Sequence, residues 1–186
     1  MITVIYAHPY PRYSRACAAL RAAIEGMEGV AIRSLYDLYP DFDIDAQAER
    51  SAVEGAGLVV WMHPLYWYTA PALLKHWFEG VLAKGWAYGE GGTALAGKDC
   101  LWVTTTGGDE EAFSERGRHG HPLETFAPVI ERTARYCGMN WLPPFAVHGA
   151  HVVPEEALRA AGIALRARIE EWRIKNILSA DRNLHP

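Results

Sequence analysis

Three short segments of the sequence carry residue types that could together bind an anion, a flat ring and a carbonyl edge. Residues 8–15 read HPYPRYSR, and Ser14 is suited to cap a helix whose first amides and dipole attract an anion. Arg12 and Arg15 add positive charge. The segment contains neither a P-loop nor a dinucleotide-binding glycine pattern. Taken alone, it is explained equally well as a capped helix on the surface.

The second and third segments supply an aromatic surface and hydrogen-bond donors. Residues 63–68 read HPLYWY, and three consecutive aromatic side chains cannot all enter one core because neighbouring side chains diverge. Some must face a groove, which suits a flat aromatic ligand, although packing under a helix or across a dimer interface is the alternative. Residues 104–109 read TTTGGD. Their glycines let backbone amides approach a ligand and stabilise negative charge on it, although ordinary turns use glycine too.

The surrounding pattern predicts an α/β fold. Short apolar runs alternate with longer helical ones, as in parallel βαβ units. Strands are predicted at residues 2–7, 30–32, 58–62, 100–103 and 144–147, and helices at residues 15–25, 71–81, 123–136 and 154–172. The expected architecture is a flavodoxin-like three-layer sandwich with a five-stranded parallel sheet. It forms one domain over residues 1–178, followed by a loose tail at residues 179–186.

This architecture should bring the three segments together. In such sheets ligands bind beyond the carboxyl ends of the strands, and each segment directly follows a predicted strand. The phosphate, tricyclic ring and carbonyl edge of flavin mononucleotide (FMN) match an anion site, an aromatic surface and a set of donors. The coincidence of all three at one edge favours a flavin more strongly than any one segment does.

Composition and charge argue against several other classes of protein. The 18 basic and 22 acidic residues give a net charge of −4, whereas a broad nucleic-acid surface needs a basic excess. The three cysteines form no CxxC pair, so neither a zinc knuckle nor a disulfide framework is expected, and a reducing cytoplasm fits best. The first residues show no signal-peptide pattern. Residues 55–74 lack formal charge, but their prolines and aromatic residues favour a strand, a bend and a helix over a membrane span.

Eight histidines raise the alternative of a metal site. His119 and His121 form one spaced pair, and His148 and His151 form another. No carboxylate or cysteine accompanies them at a recognisable metal-ligand spacing. We therefore expect no metal, and we interpret His121, His148 and His151 as solvated loop residues.

The motifs resemble those of the flavodoxin-like NAD(P)H:quinone oxidoreductase family. Within it, the chain is most similar to the ancillary subunits of the glutathione-regulated potassium-efflux antiporter. The similarity runs from about residue 2 to residue 172. The motifs that carry it are YAHP at 6–9, PLYWY at 64–68, PALLK at 71–75, GWAYG at 85–89, TTGG at 105–108 and YCG at 136–138.

The resemblance implies a two-electron reduction of quinones by NADH or NADPH through bound FMN rather than FAD, in a ping-pong cycle. It further implies a homodimer with a shared active site, and an antiporter partner that would bring a cytoplasmic protein to the inner membrane. The residues that would hold the flavin are His8, Ser14, Arg15, Ala16, Cys17, Leu65, Tyr66, Trp67, Tyr68, Thr105, Thr106, Gly107 and Gly108.

The resemblance also implies that His119 is the catalytic residue. A backbone amide cannot supply a proton to the reacting ring, whereas an imidazole can near neutral pH. Mammalian members have a tyrosine where this chain has Phe113, so that phenolic donor is missing, and some relatives have glutamine in place of Tyr66. The alternative is that His119 is a solvated loop residue.

Two other functions remain open from the sequence. One is a purely regulatory subunit that binds the antiporter without catalysis, which is compatible with the same resemblance. The other is a one-electron carrier of the flavodoxin type. The modest net charge and the histidine-bearing loop beside the expected ring argue against the carrier.

Overall fold

The computed structural model describes residues 1–182 and shows a parallel sheet between two layers of helices. The strand order is β2-β1-β3-β4, and the last edge position is occupied by β5 and then β6. Every pairing is parallel, which confirms the predicted flavodoxin-like α/β class. The strands are β1 (Ile2–Tyr6), β2 (Val30–Ser34), β3 (Leu58–Pro64), β4 (Asp99–Thr105), β5 (Asn140–Trp141) and β6 (Phe145–Val147).

The fifth strand position is split into two short segments. The segment β5 pairs with Asp99 and Cys100 at the start of β4, and β6 pairs with its last three residues. Pro143 and Pro144 lie between them, and proline has no amide hydrogen to donate to a neighbouring strand. The predicted strand at 144–147 is therefore confirmed for β6, while β5 was not predicted.

Six α-helices cover the two faces of the sheet within residues 1–182. One face packs against the first and last helices, and the other packs against the remaining four. Alternate residues of β3 serve the two faces: Trp61 lies in one cluster, and Val60 and Met62 lie in the other. The helices are α1 (Ala16–Ile24), α2 (Leu35–Leu38), α3 (Ala46–Glu54), α4 (Ala72–Val81), α5 (Ala127–Tyr136) and α6 (Glu155–Arg182).

Helices α2 and α3 were not predicted, and α3 shows why. Asp45 caps α3 by accepting from the amide of Ala48 at 2.9 Å. The inward face of α3, however, carries a glutamate at a position where an apolar residue would give the pattern of an amphipathic helix. The carboxylate of Glu49 is fully buried and pairs with Arg33. It also accepts from the Tyr39 hydroxyl at 2.7 Å. A third donor is the indole of Trp77 at 2.9 Å. The carboxylate thus has both the opposite charge and the hydrogen bonds that a buried charge requires.

The last two predicted helices differ most from the observed ones in where they begin or end. The helix predicted at 123–136 begins as a short 3-10 turn over Leu123–Thr125 and becomes α-helical at Ala127. The last helix begins one residue after Pro154 and continues to Arg182, so it includes the first four residues of the predicted tail. Residues 183–186 of that tail lie outside the described residues, and the domain boundary at 178 stays a prediction.

The uncharged stretch at residues 55–74 forms β3, a tight turn and the start of α4, as predicted. Among residues 1–182, no helix is long and apolar enough to cross a bilayer. All three cysteines are free and buried. Burial raises the pKa of Cys17 to about 12, that of Cys137 to about 11, and that of Cys100 well above its ordinary value.

Candidate cofactor and substrate site

Two adjoining cavities lie beyond the carboxyl ends of β1, β3 and β4. The first, the α1 cavity, has a volume of about 270 Å³ and is bordered by the start of α1. The second, the aromatic cavity, has a volume of about 550 Å³. Both are of the size of small-molecule sites. The residues that border both cavities are Leu65, Tyr66, Gly107 and His151.

Almost all of the predicted cofactor residues border one of these cavities. The α1 cavity is lined by His8, Ser14, Arg15, Ala16, Cys17 and Thr105, and the aromatic cavity by Trp67, Tyr68, Gly108 and His119. Thr106 is the exception. Its buried hydroxyl donates to the carbonyl of Gly108 at 2.7 Å, and its amide donates to Val147 at 3.0 Å. Thr106 therefore holds the glycine loop from behind instead of facing a cavity.

The start of α1 forms the anion-binding end of the site. The N-cap residue of α1 is Arg15 and not Ser14 as predicted, but the hydroxyl of Ser14, one residue earlier, still accepts from the amide of Ala18 at 3.1 Å. The amides of Ala16 and Cys17 precede that bond and have no acceptor within the helix. They belong to residues that line the α1 cavity, where the helix dipole favours negative charge.

Arg15 has a different role from the one expected. Its guanidinium donates to the carbonyl of Val153 and pairs with Glu155 at 3.4 Å. The side chain therefore links the start of α1 to the start of α6, and part of its charge is already balanced. We conclude that the helix amides, more than Arg15, make the α1 cavity suited to an anion.

His8 adds a further donor to the α1 cavity. Its Nδ1 accepts from the amide of Tyr10 at 3.1 Å, which leaves the proton of the neutral ring on Nε2. Burial lowers the pKa of His8 below its ordinary value, and the neighbouring His151 acts in the same direction. His8 therefore enters the site as a neutral hydrogen-bond donor at neutral pH.

A strained turn presents the aromatic residues after β3. Tyr66 and Thr69 exchange both backbone hydrogen bonds, at 3.1 and 3.0 Å, so Trp67 and Tyr68 form a two-residue turn. Both have positive φ, 51° and 63°, which is uncommon for residues other than glycine. The Trp67 side chain is 92% exposed, so it points to solvent at the rim instead of lying along the cavity floor.

His119 is packed into the site and is not a solvated loop residue. Its ring stacks on Phe113 with centroids 4.2 Å apart, and its Nδ1 lies 3.3 Å from the hydroxyl of Tyr68. Its Nε2 is buried and has no hydrogen-bond partner in the described part of the chain. A side chain at Gly108 would place its Cβ only 3.0 Å from that Nε2. The catalytic role of His119 stays a prediction.

The glycine loop after β4 leaves two donors free. Within residues 1–182, the amides of Gly107 and Gly108 donate to no protein acceptor, whereas the carbonyl of Gly108 accepts from Gly149 at 2.8 Å. The loop is thus fixed through its oxygen while its N–H groups remain available to a ligand, as the Thr-Thr-Gly-Gly sequence suggested.

Sequence reasoning missed two histidines that follow β6. His148 Nδ1 lies 3.0 Å from the hydroxyl of Thr106, and His151 borders both cavities. The interpretation as a solvated residue was therefore wrong for His148, which is half-buried. His151 is exposed as predicted, but its place beside both cavities was not foreseen. The available signal was the strand predicted at 144–147, because the loop after it must reach the same edge of the sheet. No group of three or more potential metal ligands occurs among the described residues.

A buried histidine fixes the end of β3 beneath the site. His63 is fully buried; its Nε2 accepts from the indole of Trp102 at 2.9 Å, and its Nδ1 lies 2.9 Å from the carbonyl of Pro64. These two contacts require a neutral ring with the proton on Nδ1. Burial lowers the pKa of His63 to about 4, so it stays neutral at physiological pH.

Comparison with known proteins identifies the family of the chain. A family model described as a flavodoxin-like fold matches residues 1–169. The chain belongs to that family. It is 48% identical over 173 residues to the glutathione-regulated potassium-efflux system ancillary protein KefF of Enterobacter sp. (strain 638), covering 93% of this chain and 97% of that one. The KefF protein of Klebsiella pneumoniae (strain 342) is 49% identical with the same coverage. The family predicted from the motifs is confirmed.

A solved structure places a flavin in a similar fold. General stress protein 14 of Treponema denticola, in complex with FMN, matches this flavodoxin-like chain with a TM-score of 0.86 and 29% identity, covering 91% of this chain and 98% of that one. An NADPH-quinone reductase from P. pentosaceus matches with a TM-score of 0.81 and 29% identity, covering 89% and 95%. The fold is thus shared with an FMN-bound protein and with a protein named as a quinone reductase.

Proposed function

We propose that this flavodoxin-like protein is an FMN-dependent NAD(P)H:quinone oxidoreductase that carries out two-electron reduction in a ping-pong cycle. The observation that carries the proposal is the joining of the α1 cavity to the aromatic cavity at one edge of the sheet. An anion site, an aromatic surface and free backbone donors then border adjoining cavities, and the phosphate, ring and carbonyl edge of FMN match them one for one.

The residues present fit FMN at three points. The free amides at the start of α1 and the Nε2–H of His8 suit its phosphate. The free amides of Gly107 and Gly108 suit the carbonyl edge of its ring. The buried Nε2 of His119 has no partner in the described part of the chain, and a buried polar atom of this kind is expected to be hydrogen-bonded when the site is filled.

Bound in these cavities, FMN would supply the two-electron chemistry between NADH or NADPH and a quinone. The chain itself would provide orientation and charge stabilisation. Its fixed glycine amides would donate to the carbonyl edge, where negative charge would develop, and such preorganised donors need no rearrangement during the reaction. The imidazole of His119 would hold or deliver a proton at the mouth of the aromatic cavity.

The test begins with FMN binding to the purified protein and to Ser14→Asp. A carboxylate at position 14 would face the flavin phosphate with like charge, so we expect at least about a tenfold weaker affinity. The matched variant Ser14→Thr keeps a hydroxyl and should bind FMN normally. Unchanged affinity in Ser14→Asp would remove the start of α1 from the site.

The FMN-loaded protein should then oxidise NADH or NADPH with a benzoquinone as acceptor. Reciprocal plots at several quinone concentrations should be parallel, as expected for a ping-pong cycle. Failure to turn over any quinone with either nucleotide, while FMN is fully bound, would leave a carrier or a regulatory subunit.

We also propose a regulatory partner role, because the KefF relatives are named as ancillary proteins of a potassium-efflux system and match nearly the whole chain. In this role a cytoplasmic protein would bind the cytoplasmic domain of an antiporter and thereby reach the inner membrane. The two roles are compatible. Co-purification of the FMN-loaded protein with the cognate antiporter domain tests the second, and absence of binding would leave only the enzyme.

A homodimer is proposed from the surface between α4 and α5. A groove of about 600 Å³ lies there, and it is bordered by Val129 and Tyr136, whose side chains are 60% and 69% exposed. Exposed apolar surface of this kind is typical of an interface. Light scattering should give twice the mass of one chain, and Val129→Glu should shift the protein to monomer. A monomeric wild-type protein with full activity would exclude a shared active site.

A further inference from the structure

We propose that Tyr68 is the positioning residue of His119: its hydroxyl donates to Nδ1 and so keeps the imidazole proton on Nε2, which packs against Gly108 at the border of the aromatic cavity. The consequence for catalysis rests on the proposed function, whereas the arrangement itself does not. Two loops meet in this contact, because Tyr68 follows β3 and His119 follows β4. Their atoms are 3.3 Å apart.

The hydrogen-bonding capacity of the two side chains assigns the direction of the bond. Within residues 1–182 the polar contact of the Tyr68 hydroxyl is Nδ1 of His119, and a phenol is the stronger donor while an unprotonated imidazole nitrogen is the stronger acceptor, so we give the proton of this bond to the hydroxyl. An imidazole that accepts at Nδ1 carries its proton on Nε2 when neutral. That Nε2 is buried and has no hydrogen-bond partner among the described residues, so its proton would reach a ring or quinone carbonyl only when the imidazole or the glycine loop beside it shifts on ligand binding.

The backbone of the turn supports a specific role for Tyr68. Trp67 and Tyr68 both adopt positive φ, and strain of this kind persists only where surrounding contacts fix it, often at functional sites. The Tyr68 ring stacks on Phe126 with centroids 5.0 Å apart and meets the His119 ring edge to face at 5.7 Å. The strained turn thus places the phenol at a single point, where it reaches His119.

Phe113 cannot perform this task. It packs flat against His119 at 4.2 Å with an interplanar angle of 26°, which restricts rotation of the imidazole but leaves both tautomers equally satisfied. The position of the imidazole proton of His119 is consequently set by Tyr68, on the loop after β3. In this chain Phe113 supplies the packing and Tyr68 supplies the hydrogen bond.

The first test needs neither flavin nor turnover. Nitrogen-15 NMR of the histidine-labelled, flavin-free protein reports the tautomer of each neutral imidazole. We expect His119 to show mainly the Nε2–H form in the wild-type protein. In Tyr68→Phe the Nδ1–H fraction should rise several-fold, while the resonances of His121 stay unchanged. Identical His119 shifts in wild type and Tyr68→Phe would overturn the proposal.

The second test measures the consequence in the FMN-loaded protein. Tyr68→Phe should lower kcat about three- to tenfold with little change in the KM for quinone. Adding Tyr68→Phe to His119→Phe should lower kcat no further, because the phenol acts only through the imidazole. An additive loss would overturn the positioning role. If instead no variant, including wild type, reduces quinones, the proposed function fails while the NMR result stands on its own.

Discussion

Acidification should destabilise this protein in large part through His63, the buried histidine beneath the site. The ring accepts from Trp102 and contacts the carbonyl of Pro64, and a second proton would break the bond from the indole. The informative comparison is between the wild-type protein and His63→Gln at decreasing pH. Glutamine can still accept from the indole but does not titrate, so all other ionisable groups cancel in the difference.

The sign and size of the effect follow from the pKa of His63, which burial lowers from 6.5 to about 4. Above pH 6.5 the ring is neutral in the folded and unfolded chains, and its stabilising contacts are fully present. Between pH 6.5 and pH 4 only the unfolded chain takes up the proton, so stability falls as pH falls. The loss attributable to His63 should be about 2 kcal/mol between pH 7 and pH 5.

Urea unfolding of both proteins at pH 7, 6 and 5 measures this loss. The free energy of unfolding of the wild type minus that of His63→Gln should decrease by about 2 kcal/mol across the range. A difference that stays constant with pH would show that His63 titrates normally in the folded protein, and the argument from burial would be wrong.

Three further substitutions test other parts of the structure. His119→Phe should lower kcat about 10- to 100-fold with FMN still bound, whereas His121→Phe should lower kcat far less. Equal small decreases of kcat in both variants would show that the proton comes from water. Glu49→Gln should reduce the free energy of unfolding by about 3 kcal/mol, because it breaks a buried ion pair. The exposed control Glu54→Gln should reduce it by less than about 0.5 kcal/mol. A loss below about 1 kcal/mol for Glu49→Gln would refute the stabilising role of the ion pair. Gly108→Ala should displace the His119 ring, since the new Cβ would lie 3.0 Å from its Nε2, and an unchanged His119 NMR signal would contradict that contact.

The sequence predicts the sheet well because the inner strands are buried on both faces. All seven residues of β3 are buried, and a continuous apolar run of that kind is hard to confuse with a surface element. The meeting of the three loops that border the cavities follows directly, because parallel strands end at one edge. The edge strand is harder to predict from the sequence, since β5 and β6 together contain only five residues and two prolines separate them.

The parts that could not be predicted depend on contacts between distant residues. Helix α3 is concealed because a buried Glu49 replaces an apolar residue, and its partner Arg33 is 16 positions away. The contact between Tyr68 and His119 joins positions 51 apart and depends on a turn with two positive φ angles. Neither contact can be predicted from a local sequence pattern, because the spacing of residues along one element does not show which residues of a second element pack against it.

The burial of all three thiols has a chemical consequence. Quinones are electrophiles as well as oxidants, and they add to thiolates rather than to thiols. Since the folded chain holds Cys17, Cys100 and Cys137 away from water with raised pKa values, it presents almost no thiolate near neutral pH. A protein that handles such compounds would otherwise be arylated by its own substrate. In this chain alkylation should require unfolding, and the half-life of the protein in excess quinone should follow its conformational stability.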